Sequence, residues 1–159
     1  MTEELAMETQ AVETAAAVTS GGAQAPAGMA WQDRYLLNLA PMDDIHREFV
    51  SLVNALLVAP PEADLVPLMD ALVEHTERHF AMEQRWMEES HFPPTGCHED
   101  EHSRSLAVVV AVRDKVAAGD AALGRTLARE LVPWFDNHVA SMDWALASWI
   151  ARTGYAATA

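Results

Sequence analysis

Cysteine is almost missing: Cys97 is the only one in 159 residues, so no disulfide can form within the chain. Basic residues are scarce too, ten against 24 acids, for a formal net charge of −14. That balance argues against nucleic acid and anionic membrane surfaces as partners, since both select basic patches. No apolar run approaches the length of a membrane span. The opening stretch MTEELAMETQ has neither a basic n-region nor an apolar h-region, so it does not read as a secretory signal, and a cytoplasmic protein is expected. There is no internal repeat.

Half of the residues are hydrophobic, enough to build one domain with a sizeable core. Residues 1–29 form a block of their own, small, polar, broken by Gly and Pro, with four acids and no base. Such a segment cannot bury enough apolar surface to order itself, so a disordered acidic tail is expected there. The domain is expected over 30–152, with a short C-terminal tail over 153–159.

Within the domain the apolar period is helical. Ile45, Phe49, Leu52, Val53 and Leu56 recur at steps of three and four and predict helix A over about 42–58. Leu68, Leu72, His75, His79, Met82, Glu83 and Trp86 trace one stripe of helix B, with Pro67 in its first turn. Its length of ~28 residues, or ~42 Å, predicts an overhang. Helix C follows the break HFPPTG, with Thr95 as its expected N-cap and a stripe of His98, His102, Leu106, Val109 and Val116. Helix D carries Leu127, Leu131, Trp134, Phe135, His138, Met142, Ala145 and Trp149, and Pro133 should kink or divide it. Four helices with short connections predict an all-α fold, an antiparallel up-down-up-down four-helix bundle.

The stripes carry unexpected polar residues. His46, His79, Glu83, His98, His102, His138 and Asp143 all fall on or beside inward faces. Burying seven titratable groups with no shared partner is costly, and a metal site removes the conflict. His79 and Glu83 are four residues apart, as are His98 and His102, so each pair projects from one face. His138 and Asp143 are five apart, a looser match, and helix A adds His46. Five histidines and two carboxylates exceed the four ligands of a tetrahedral zinc, but suit two six-coordinate ions. If both carboxylates and one oxo or hydroxo group bridge the ions, five histidines divide three and two. One position then stays open on one metal. Imidazole with carboxylate suits iron among other ions.

The motifs MDDIH, HFAME, HEDEH and WFDNHVASMD resemble those of the hemerythrin family, single-domain bacteriohemerythrins in particular, over roughly Trp31 to Trp149. The resemblance implies two irons bridged by an oxo or hydroxo group, Glu83 and Asp143. His98, His102 and His138 would bind the saturated iron, and His46 and His79 the open one. It also implies reversible dioxygen binding, used for oxygen carriage, storage or delivery, with no catalytic residue required. The sequence names no protein partner. Two positions depart from the family's usual pattern: Trp134-Phe135 where Trp-Leu is common, and Glu83-Gln84 where Glu-Glu is common.

Phe49, Trp134 and Phe135 are the candidate apolar wall around the open position, with His75 as a further candidate for that pocket. His91 is expected to be solvated, the run Glu99–Glu101 to be a solvated first turn, Cys97 to be a minor free thiol, and Trp86, Trp134, Trp144 and Trp149 to be core. Two other uses of the same centre compete with the carrier. One is an enzyme acting on peroxide or nitric oxide with His75 as its acid; the other is a sensor whose output passes through the tail or Cys97.

Overall fold

The computed structural model describes residues 28–159, and within them every regular element is helical. A single 3-10 turn, Asp33–Tyr35, precedes α1 (Ala40–Val58), α2 (Val66–Glu89), α3 (Thr95–Ala117) and α4 (Ala121–His138). A π-helical turn, Val139–Asp143, then joins α4 to α5 (Trp144–Thr153), which continues the same rod. Each helix packs on its neighbours in the chain, and α4 closes the ring on α1. This is the expected four-helix bundle. None of these helices is long and apolar enough to cross a membrane.

The helix ends follow local chemistry. Pro41 and Pro67 sit in the first turns of α1 and α2, where the missing N–H costs nothing. Asp120 caps α4 by accepting from the Leu123 amide at 3.0 Å. Gly154 closes α5 in the left-handed conformation at φ 69°. Thr95 is not the cap expected of it: it is already helical, and its hydroxyl donates back to the Phe92 carbonyl.

Other expectations also need correction. Helix α2 has 24 residues against 23 in α3, so it has no long overhang. Pro133 lies inside α4 without dividing it, because a proline forfeits one backbone bond and the packed bundle supplies the rest. The irregularity comes six residues later, at the π turn. Trp144 is 60% exposed rather than core. It follows the inward-facing Asp143 and so stands about 100° round the helix. At the N-terminal side Met29 is buried, and its carbonyl accepts from Asn54 at 2.7 Å, so the ordered chain reaches into the expected tail. Residues 1–27 of that tail lie outside the described residues. The segment read as a C-terminal tail lies on the bundle. Tyr155 and Ala157 pack on its core, and the Thr158 carbonyl accepts from the Trp86 indole at 2.9 Å.

The core falls into two apolar clusters. One contains Phe49, Val53, Leu56, Leu72, Val109, Leu131 and Phe135. The other contains Met42, Ile45, Met82, Trp86, Leu146 and Ile150. Along every rod the polar residues of the stripes sit between the two. Gly124 brings α4 close to α3: a Cβ built there would lie 2.8 Å from Cγ2 of Val116. Valine is stiff at χ1 and cannot swing aside. Gly124→Ala should therefore destabilise the protein by about 1–2 kcal/mol, although alanine is the better helix former by about 1 kcal/mol. Urea denaturation checks the sign.

Candidate metal centre

The seven residues singled out from the sequence converge. His46, His79, Glu83, His98, His102, His138 and Asp143 are all buried, with both carboxylates fully so. His98, His102, His138 and Asp143 form one group of donor atoms lying within 4.8 Å of one another, and His46, His79 and Glu83 form a second.

The carboxylates link the groups. Glu83 places Oε1 at 2.5 Å from His79 Nε2 and Oε2 at 3.2 Å from His98 Nε2. Asp143 places Oδ2 at 3.2 Å from His46 Nε2 and Oδ1 at 3.0 Å from His138 Nε2. Each acid thus turns one oxygen to each half of the site. None of these four approaches has hydrogen-bond geometry. Both oxygens of Glu83 and of Asp143, and Nε2 of His46, His79 and His98, lack a hydrogen-bond partner among the described residues. His102 and His138 face each other Nε2 to Nε2 at 3.1 Å, where only one can donate.

Lone pairs aimed at common points are what ligands show. Donors at neighbouring corners of a six-coordinate ion with ~2.1 Å bonds lie about 3 Å apart, close to most of these separations. The donor set therefore fits metal ions.

Local sequence explains the convergence. The i, i+4 pairs on α2 and α3 need only a regular helix. His138 and Asp143 need more. On a regular α-helix, residues five apart are ~140° round from each other. The π turn between them absorbs one extra residue and returns Asp143 to the face of His138.

With no metal, the site balances its charge with protons. Burial and Asp143 push Glu83 up, but His79 and His98 outweigh them and hold it at about 2. Burial also opposes ionisation of Asp143, yet His138 and its other imidazole neighbours hold it well below the usual carboxylate range. His98 is raised to about 9 against its own burial, because Asp143 and Glu83 stabilise its proton. His138 is raised for the same reason, whereas burial lowers His102 to about 3.

The chain from residue 38 to residue 150 matches the family model described as the hemerythrin HHE cation binding domain. The chain belongs to the hemerythrin family. It is 45% identical to the bacteriohemerythrin of Ralstonia nicotianae over 124 residues, 78% of this chain and 90% of that protein. It is 30% identical to the bacteriohemerythrin of Stenotrophomonas maltophilia over 122 residues, 75% and 79% of the two chains.

Beside His79 and His138 this hemerythrin domain holds a small, mostly apolar pocket with about 10 Å³ of room for the centre of a water-sized molecule. Phe49, Trp134 and Phe135 line it. Phe49 stacks on Phe135 at 4.7 Å, and Trp134 on His138 at 4.6 Å. His75 does not line it. That ring is buried behind His79 and Phe49, with Nδ1 3.5 Å from Glu48. His91 is exposed, as expected, and Cys97 is a free, exposed thiol.

Sequence reasoning missed three contributors. Phe80 stacks flat on His102 at 3.7 Å, and its only signal was its place in HFAME. Glu101 accepts from the Trp134 indole at 3.0 Å, so the acidic run is not simply solvated. Gln84 likewise joins Glu99 and Glu88. Glu99 and Glu101 lie 15 and 33 residues from the partners they meet across the bundle.

Two outcomes are expected. Deleting Ala140 should turn the π turn into regular helix, leave His138 and Asp143 four apart on one face, and preserve metal content; inserting an alanine there should rotate Asp143 away by about 100° and lower it. Metal analysis of the two variants decides. Metal binding should also release the His98 proton, so affinity should climb with pH up to about 9 and then level. Calorimetry in buffers of different ionisation enthalpy counts that proton. In the metal-free protein the stabilisation from this proton is full below about 6.5 and is lost as pH rises through about 9.

Proposed function

We propose that this hemerythrin domain holds two iron ions and binds dioxygen reversibly, for oxygen carriage, storage or delivery. The observation that carries the reading is the division of each carboxylate's oxygens between the two histidine groups. His98, His102 and His138 would hold one iron, His46 and His79 the other, and Glu83 and Asp143 would bridge them. Three histidines against two would leave the second iron with the open position, and the apolar pocket borders His79 of that pair as well as His138 of the other group. A bound iron pair supplies the two electrons that dioxygen takes up and returns.

The residues of the chain keep that exchange reversible. Phe49, Phe80, Trp134 and Phe135 exclude water and so slow the delivery of protons from solvent. Thr76 also borders the pocket, but its hydroxyl is committed to the Leu72 carbonyl at 2.7 Å. The competing enzyme reading needs an acid at the open position, and His75 was its candidate. His75 lies off the pocket, and burial and His79 lower it to about 4, so it is a neutral imidazole at ordinary pH. That favours the carrier.

Iron analysis and an optical spectrum test the proposal. The reduced, iron-supplied protein should hold two irons per chain, change colour in air and revert on degassing. Asp143→Ala should lose iron and the colour change together. A wild-type protein with well under two irons, or one that bleaches irreversibly in a single exposure, would sink the reading.

A further inference from the structure

The pocket beside His79 has an outer neighbour. A surface groove of about 330 Å³ runs between α3 and α4, lined by Glu101, Arg104, Val108, Leu127 and Glu130 among others. Four residues border both spaces: Ser105, Val109, Leu131 and Trp134. They stand one and two turns from His102 on α3 and from His138 on α4, so a single layer of side chains separates solvent from the pocket. Ser105 is the smallest member of that layer and Trp134 the largest. The indole of Trp134 is fixed on both sides, stacked on His138 within and donating to Glu101 Oε1 at the rim. Glu101 is in turn paired with Arg104 at 3.2 Å.

We infer that a small neutral molecule enters the pocket through the α3–α4 groove, between Ser105 and Trp134, and that Glu101 is a positioning residue that holds the Trp134 indole as the movable part of the wall. This rests on the dioxygen-binding reading for the identity of the ligand, but not for the route. The chemistry of the mouth selects the class of ligand. The exposed Val108 gives it an apolar floor, while Glu101 and Glu130 outnumber Arg104 at its edge and disfavour anions. Trp134 is only partly buried and moves by breaking one rim hydrogen bond and its stacking on His138, whereas Phe49 and Phe135 are buried in the stacked core of the bundle.

Val108→Trp covers the groove from an exposed position that does not line the pocket, so the fold and the site stay intact. In the iron-loaded chain it should slow dioxygen association and dissociation alike by about tenfold, leaving affinity unchanged, as a raised barrier does. Glu101→Ala should speed both. Ala81→Trp, in the groove between α2 and α3, is the control and should change neither. Xenon, which occupies dry apolar cavities, reports the route without iron chemistry. Its exchange into the pocket, followed by NMR on the iron-loaded and the metal-free protein, should slow in Val108→Trp and not in Ala81→Trp. Unchanged xenon exchange in Val108→Trp, or equal slowing by the control, overturns the route. If the wild type takes up no dioxygen, the functional reading fails, and xenon exchange still decides the route.

Discussion

Two carboxylates buried at the centre of a helical bundle impose the strongest demand in this molecule. Glu83 and Asp143 are wholly out of water, and among the described residues neither has a lysine or arginine beside it. A bare carboxylate in that position costs several kcal/mol even after relaxation. Every group that answers the demand is an imidazole, and imidazoles come from all four rods. The register of each helix is therefore tied to the others through one polar layer. Apolar packing above and below could tolerate small slips, but a layer of directed lone pairs could not.

That layer also divides the core. The cluster around Phe49 and Phe135 and the cluster around Trp86 and Leu146 meet the site from opposite ends. The two faces differ in consequence. On one, aromatic rings stack directly on the imidazoles: Phe80 on His102, Trp134 on His138, Phe135 edge-on to His46. These rings restrict the orientation of the imidazoles and line the small pocket with apolar surface. The hydrogen bond from Trp134 to Glu101 extends the chain of contacts from a buried imidazole to the surface, so an acidic side chain at the rim helps set the wall of an apolar space.

Much of the molecule was readable in advance. The stripes of α1 to α4, the bundle and the seven converging donors all follow from short-range periodicity, because one helix fixes which residues share a face. What failed to read were features decided between helices or by small backbone adjustments. The five-residue gap from His138 to Asp143 looked loose because a regular helix was assumed, and the π turn reconciles it. Pro133 looked like the break and was not, since packing on α1 and α3 holds α4 through it. Glu101 looked solvated because its partner lies 33 residues away. His75 shares the stripe of His79 yet turns to Glu48, a choice made by the space behind His79.

Sequence alone determined the four helical rods, the inward polar set and its division into pairs, since each depends on the repeat of a single helix. Tertiary structure alone decided which carboxylate oxygen faces which histidines, where the pocket opens and which side chains close it. Those are relations between atoms on different rods, and no local period encodes the distance between one rod and the next.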